Sequence, residues 1–188
     1  MRYARLLLAV LSALCLAAAA AHAQQAQAQA CPLTIEQAPE LRGFRLGMTT
    51  EQVMARVPGI QVQQGSFGAS DARLPPSSGA DAAAYKGIDN IYFGFLDGRL
   101  VNLVVSYDQS VHWKSSDQFA AKVSEFLKLP EDWRGTANPN QKVLTCAGFD
   151  VTVTAYPNAI RLAVPNYNEV LSRRREQHEE KLRQDFRP

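Results

Sequence analysis

The sequence contains few of the residues from which catalytic and cofactor sites are usually built. Its 188 residues include only three cysteines, three histidines and two tryptophans. No Gly-x-Ser-x-Gly or comparable motif accompanies a serine, a histidine and an acid, so a hydrolytic triad is not predicted. We predict a non-enzymatic protein with no catalytic residues, no bound metal and no cofactor.

An excess of charge of one sign is also absent. The chain has 20 Lys and Arg residues against 18 Asp and Glu residues. Two of the basic residues, Arg2 and Arg5, lie in the N-terminal segment, and the rest of the chain is formally neutral. Nucleic-acid-binding domains carry a basic patch, so this composition excludes nucleic acid as the expected partner.

The N-terminus has the three parts of a secretory signal peptide. Two arginines are followed by an apolar run at residues 6–21, and Ala21-His22-Ala23 is a small-x-small cleavage site. Residues 1–23 are therefore predicted to be removed after Ala23, which places the mature protein in the periplasm or outside the cell. The alternative is a retained membrane anchor, but the run is too short and too rich in alanine for a stable one.

Cysteine usage fits an exported protein. Cleavage would remove Cys15 and leave an even pair, Cys31 and Cys146. In an oxidising compartment an even pair predicts a disulfide, and the alternative is two separate buried thiols. A bridge that closes a loop of this length stabilises the fold by about 4–5 kcal/mol in the chain-entropy model.

The mature chain is predicted to fold as one α+β domain with a tail. Residues 24–30 alternate Gln and Ala and are predicted to be a disordered leader. A single domain is predicted at 31–166 and a charged C-terminal helix at 167–188. We expect this helix to project from the domain, or to rest on it only through its thin apolar stripe: Leu171, Leu182 and Phe186.

Two short helices are predicted inside the domain, each introduced by the spacing of a capping box. Thr49 and Gln52 have this spacing at the first helix, which ends at Pro58-Gly59. Ser115 and Gln118 repeat the spacing at the second helix. One apolar face of the second helix is formed by Phe119, Val123, Phe126 and Leu127.

Strands are predicted where β-forming residues gather between turn signals. The strongest hairpin signal is Asp97-Gly98, because this dipeptide tolerates the positive φ values of a tight turn. Residues 65–84 contain five Gly and Pro residues without periodicity, so they are predicted to form a long flexible loop. The predicted strands are 60–64, 90–96, 100–107, 142–146, 149–156 and 160–164.

The two halves of the domain are similar to each other in sequence. Residues 49–57 align with residues 115–123, with identity or close chemical similarity at all nine positions. This predicts tandem α-β-β-β units at 44–109 and 110–166, in a two-layer fold whose antiparallel sheet is covered by both helices. The alternative is that any capped amphipathic helix followed by a hairpin produces the same pattern.

Two short motifs carry a resemblance to known proteins. Leu46-Gly47-Met48-Thr49-x-x-Gln52-Val53 and the later Phe93-x-Phe95-x-Asp97-Gly98-x-Leu100 resemble the SmpA/OmlA-type outer-membrane assembly lipoproteins. They are also similar to the related repeat of β-lactamase inhibitory protein. The resemblance implies a periplasmic protein-binding module and no catalytic residues. It does not imply a lipid anchor, because the chain lacks a lipobox cysteine.

Aromatic and basic residues near helix ends are the candidate interaction residues. Trp113 and Trp133 flank the second helix, where tryptophan either anchors a partner or seals the edge of the core. The run Arg173, Arg174 and Arg175 could contact a partner or acidic lipid. The alternative for this run is a solvated helix face, since glutamates follow at once.

The sequence contains one set of candidate metal ligands. Asp108, His112 and Asp117 lie close together before the second helix. A metal site needs three or four convergent ligands, so a histidine with local hydrogen bonds is the alternative that we favour.

Two classes of function remain open. The first is a non-enzymatic cell-envelope protein that binds a protein partner through an open sheet face, the 65–84 loop or the C-terminal helix. The second is a periplasmic small-ligand or lipid-binding protein, or an enzyme, with its pocket between the helices and the sheet. A deep apolar cavity would favour the second class, and an uncovered sheet face would favour the first.

Overall fold

The structure is a computed structural model that describes residues 31–75 and 85–187. The predicted signal peptide, the predicted leader and part of the predicted 65–84 loop lie outside the described residues.

Within the described residues, eight strands form one antiparallel sheet in the order β1-β2-β3-β4-β8-β7-β6-β5. Each strand pairs antiparallel with its neighbours, so this part of the predicted fold is confirmed. The strands are β1 (Val62–Gln64), β2 (Ala69–Leu74), β3 (Ile88–Leu96), β4 (Arg99–Tyr107), β5 (Arg134–Gly135), β6 (Gln141–Thr145), β7 (Asp150–Ala155) and β8 (Asn158–Ala163).

Three α-helices accompany the sheet in the described stretches, which confirms the predicted α+β class. They are α1 (Thr50–Arg56), α2 (Ser116–Leu127) and α3 (Tyr167–Asp185), and a 3-10 helix at Ile35–Gln37 precedes α1. In the described parts of the chain, four strands, rather than the predicted three, follow each of α1 and α2. The last strand of each set, β4 and β8, pair with each other at the centre of the sheet.

Both predicted helix starts are capped by side chains. The Thr49 hydroxyl accepts a hydrogen bond from the Gln52 backbone N–H at 3.2 Å, and the Gln52 side chain accepts one from the Thr49 N–H at 2.9 Å. The Ser115 hydroxyl accepts from the Gln118 N–H at 3.2 Å. These bonds satisfy N–H groups that the first turn of a helix leaves without partners, and they fix where α1 and α2 begin.

The predicted Asp97-Gly98 hairpin is confirmed between β3 and β4. The backbone φ angles of Asp97 and Gly98 are 50° and 72°, and Leu96 pairs with Arg99 across the turn. Positive φ at both central positions matches the twist of the flanking strands, which explains why this dipeptide closes the hairpin.

The inner face of the sheet is the floor of one hydrophobic core. Because side chains alternate along a strand, every second residue of each central strand points to this face. One row of cross-strand partners is almost completely buried from β2 to β6: Ala72, Phe93, Leu103, Leu162, Val151 and Leu144.

Helices and the N-terminal segment supply the upper layer of this core. The Phe44 ring lies edge-on to the Phe93 ring, with the centroids 4.7 Å apart. Val53 of α1 and Phe119 of α2 are both buried in the same cluster, and α2 packs against β6 and β7. The core is thus shared by elements between residues 31 and 164.

The predicted disulfide is present. The sulfur atoms of Cys31 and Cys146 are bonded, both cysteines are buried, and the bond joins residues 115 positions apart. Backbone hydrogen bonds from Ala147 to the Cys31 carbonyl and from Gly148 to the Leu33 carbonyl support the junction. The start of the domain is therefore fixed to the end of β6. Such a bond is compatible with an oxidising, exported location.

The prediction of a flexible loop at 65–84 is wrong for its first part. β2 (Ala69–Leu74) lies within it and pairs along its length with β3. Its sequence lacks β-branched and aromatic residues, but Ser70, Ala72 and Leu74 alternate toward the core and are buried. Tertiary pairing and burial override the weak local propensity of this segment.

The prediction that Phe126 belongs to the buried face of α2 is also wrong. Phe119 and Val123 are buried, whereas 79% of the Phe126 side chain is exposed. The last turn of α2 lies beside a groove whose other wall includes Leu41, so Phe126 has no filled core beneath it.

The predicted contacts of the C-terminal helix are only partly correct. Leu171 is half-buried, but Leu182 and Phe186 are exposed by 57% and 74%. Polar and aromatic residues of α3 make its contacts instead, as described below. In residues 31–75 and 85–187, no helix has the length and apolarity needed to cross a membrane.

Candidate functional site

One row of side chains crosses the outer face of the sheet, opposite the core. The strand register aligns these residues from β2 to β5, and all except the two terminal arginines are half-buried. We call this set the outer row: Arg73, Tyr92, Val104, Arg161, Thr152, Val143 and Arg134.

The three arginines of the outer row have no acidic partner within ion-pair distance among the described residues: Arg73, Arg134 and Arg161. The Arg73 guanidinium lies 5.6 Å from the centre of the Tyr92 ring, close enough for a cation–π interaction. Burial raises the pKa of Tyr92, and the charge of Asp71 adds to this shift. The row therefore presents ordered positive charge beside a neutral tyrosine.

Arg161, near the middle of the outer row, is held by two neighbours. Its Nε donates to the Asn102 Oδ1 at 2.7 Å, and its guanidinium lies 5.9 Å from the centre of the Tyr167 ring. The Tyr167 hydroxyl accepts a weaker bond from Arg161 Nη2 at 3.4 Å. A planar guanidinium fixed in this way is pre-oriented for a carboxylate.

A polar cleft of about 420 Å³ lies beside Arg161, between the outer face of β6–β8 and the first turn of α3. Thr152, Asp150 and Glu169 contribute to its walls. The Oδ1 atom of Asp150 is buried and accepts no hydrogen bond from the described residues. This cleft therefore contains the Arg161 guanidinium, which has no ion pair, and the Asp150 Oδ1 atom, which has no hydrogen-bond donor, among the described residues.

α3 is attached to the sheet by a second set of contacts. The Arg174 guanidinium donates two hydrogen bonds to the Asp97 carboxylate, at 2.8 and 2.7 Å, and a third to the Phe67 carbonyl at 2.8 Å. The His178 ring lies edge-on to the Phe67 ring at 5.6 Å. We call the Arg174–Asp97–Phe67 contact the latch.

The latch depends on Gly68. Its φ is +84°, in the left-handed region that favours glycine. A Cβ placed on Gly68 would lie 2.7 Å from Arg174 Nη1 and would overlap the Asp97 carboxylate. The turn before β2 therefore needs a glycine both for its backbone and for the space that the latch occupies.

The latch gives a prediction for α3. Arg174→Ala should speed amide hydrogen exchange along α3 without unfolding the domain, because neither Arg174 nor Asp97 belongs to the hydrophobic core cluster. Arg175→Ala, at the next position in the same helix, should leave the exchange unchanged. Equal effects of the two substitutions would contradict a specific role for Arg174.

The latch also predicts a dependence on pH. Hydrogen bonds from Arg174 hold the pKa of Asp97 below its usual range. A carboxyl whose pKa is lowered in the folded state stabilises above its ordinary pKa, and the effect is lost as pH falls through the lowered value. The protection factors of the α3 amides, which are corrected for the pH dependence of intrinsic exchange, should therefore fall only in acid, and Asp97→Asn should remove that dependence.

The residues predicted as interaction candidates lie at different places. Trp113 and Trp133 are half-buried and pack at the edge of the core. The Trp133 Nε1 donates to the buried Ser124 hydroxyl at 2.7 Å, so this tryptophan braces the end of α2. Arg174 forms the latch, whereas Arg173 and Arg175 are exposed on α3.

The fold does not bring the candidate metal ligands Asp108, His112 and Asp117 together. Asp108 accepts hydrogen bonds from the backbone N–H and the hydroxyl of Ser110, and Asp117 pairs with Lys142 at 2.6 Å. Within the described stretches no group of three or more His, Cys, Asp or Glu is placed to hold a metal ion.

The outer row was not identified from the sequence. Its seven members come from seven different strands, and their alignment depends on the register between strands that are far apart in the chain. The usable signal was the alternation of inward apolar and outward polar residues, such as Tyr92 beside Phe93 and Arg161 beside Leu162.

Comparisons with known protein families, with curated proteins and with solved structures find no match to this chain.

Proposed function

We propose that the protein is an exported, non-enzymatic cell-envelope protein that binds a protein partner on the outer row. The observation that carries the proposal is the row of three arginines without ion pairs to described residues on the sheet face opposite the core. Two of them, Arg73 and Arg161, are held by aromatic or polar neighbours. Arginine and tyrosine are the residue types most enriched where a few side chains dominate a protein interface.

The charges of the row indicate the chemistry of the partner. Three arginines without acidic partners in the described chain would attract a segment that carries Asp or Glu side chains. The polar cleft beside Arg161 also carries the carboxyl groups of Asp150 and Glu169, so the acidic side chains of the partner are expected to pair with the exposed Arg73 and Arg134 at the two ends of the row. A partner N–H or hydroxyl group would satisfy the unpaired Oδ1 of Asp150.

The order of the strands supports the proposed duplication. Each of α1 and α2 precedes four strands, and β4 pairs with β8 at the centre of the sheet. We propose that these halves are tandem repeats, with α1 and α2 covering the same face. Duplication would leave the part of the opposite face that α3 does not contact for binding. The resemblance to SmpA/OmlA-type proteins and to β-lactamase inhibitory protein suggests the same kind of role.

The proposal is tested with substitutions in the outer row. Arg134→Glu together with Tyr92→Ala should weaken binding to the purified partner by more than tenfold, because it reverses one charge and removes a central aromatic contact. The dissociation constant would be measured by titration calorimetry, with melting temperature as the test of folding.

The matched control is Lys114→Glu, which reverses an exposed charge near the start of α2 on the opposite side of the sheet. This variant should bind as the native protein does. Unchanged affinity of the outer-row variant, or equal loss in the control, would contradict the proposal.

A further inference from the structure

An apolar groove lies on the other side of the molecule from the outer row. Its volume is about 570 Å³, within the range of about 300–1,000 Å³ that is typical of small-molecule sites. One wall is the end of α2, the floor includes Tyr107 and Ile160, and the other wall is the turn at residues 41–43.

Aromatic contacts fix the floor and the α2 wall. The Trp113 ring stacks on the Phe119 ring with centroids 4.7 Å apart, and Tyr107 lies edge-on to Phe119 at 6.5 Å. Phe119 is buried, so this cluster is anchored in the core. The groove is therefore a preformed surface of rings and aliphatic chains.

The lip of the groove carries an exposed aromatic side chain. Phe126 has 79% of its surface exposed although it lines the groove beside the half-buried Leu127. A ligand that covers both Phe126 and the groove removes apolar surface from water, and this lowers the free energy of the complex.

Positive charge surrounds this apolar surface. Arg42, Lys86 and Lys122 lie at the margin, against one acidic residue, Glu40. Lys122 is engaged by Glu125 at 2.7 Å, whereas Lys86 forms no ion pair with any described residue. The Arg42 guanidinium lies 6.0 Å from the centre of the Tyr107 ring, at the polar edge of the apolar floor.

We propose that this groove binds a single-chain amphiphile with an anionic head group. The hydrocarbon chain lies along the Trp113–Phe119 wall and under Phe126, and the head group faces Arg42 and Lys86. The apolar lining selects the chain, and the excess of cations over Glu40 selects a negative head over a positive or neutral one. This site is independent of the protein partner proposed for the outer row.

The test uses the tryptophan fluorescence of the native chain, in which Trp113 lies beside the groove and Trp133 is kept because it braces the end of α2. Laurate, below its micellar concentration, should change the emission with a saturable dependence. Acetate, which has the head group without the chain, should not. Dodecyltrimethylammonium, which has the chain with a positive head, should bind at least tenfold more weakly. Equal affinity for the two dodecyl compounds would overturn the assignment of an anionic ligand.

Substitutions at two exposed residues test where the ligand binds. Lys86→Glu should weaken laurate binding at least fivefold, and Phe126→Ser should weaken both dodecyl compounds. The matched charge reversal Lys181→Glu, on the projecting end of α3, should have no effect. Equal weakening by Lys181→Glu would overturn the site. Concentration-dependent dimerisation that Phe126→Ser abolishes, without laurate binding, would show instead that a second copy covers the groove.

Discussion

Replacing both bridged cysteines, as Cys31→Ala with Cys146→Ala, should lower the free energy of unfolding by about 4–5 kcal/mol. The bond closes a loop between residues 115 positions apart, so its loss restores much conformational freedom to the unfolded chain. For a domain of this size the change corresponds to a fall in melting temperature of about 8–20 °C. Thermal unfolding followed by circular dichroism would measure it.

Reduction of the native protein provides the control for this prediction. If the bond acts by restricting the unfolded chain, complete reduction should lower the melting temperature nearly as much as the double substitution, because both remove the same cross-link. A double variant that melts within 2 °C of the native protein would contradict the stabilising role of the bond.

The second large effect is expected from Phe93→Ala. The Phe93 side chain is completely buried, packs edge-on against Phe44 and belongs to the buried cross-strand partners on the inner face of the sheet. Its truncation removes apolar contacts and leaves a cavity in a core shared by both halves of the domain. Such substitutions destabilise by about 3–5 kcal/mol, which denaturant unfolding would measure.

The adjacent residue gives a matched comparison. Tyr92 is one position earlier on the same strand but points to the outer face, where it is half-buried. Tyr92→Ala should therefore cost about 1 kcal/mol or less. If the two substitutions destabilise equally, the assignment of inner and outer faces to β3 is wrong.

Much of the fold follows from local sequence signals. Thr49, Ser115 and Asp97-Gly98 are local determinants, because a cap or a tight turn requires only a few neighbouring residues. The disulfide follows from the even number of cysteines once cleavage of a signal peptide is assumed. These features were therefore predictable from short stretches of sequence.

The missed features depend on contacts between distant residues. β2 has weak local propensity and exists because it pairs with β3 and buries Leu74. The latch joins Arg174 to Asp97, 77 positions away, and no spacing rule relates them. Phe126 matched the helical period of a buried face, but the period does not show where the supporting sheet ends.

The sequence predicted the type of surface that forms the candidate site but not its residues. An open sheet face was expected as one binding surface, but its residues could not be named before the register was known. Arg161 and Tyr92 become neighbours of Val104 only when β3, β4 and β8 are placed side by side. Arg173 and Arg175, which were predicted from their run in sequence, lie on α3 without a described contact to the outer row.

Site-specific photo-crosslinking from the outer face tests the central proposal most directly. A photoreactive phenylalanine derivative at Val104, in the middle of the outer row, should form covalent adducts with one protein partner in intact cells. The same derivative at Glu125, exposed on α2, should not. Adducts from both positions alike, or from Glu125 alone, would contradict binding at the outer row.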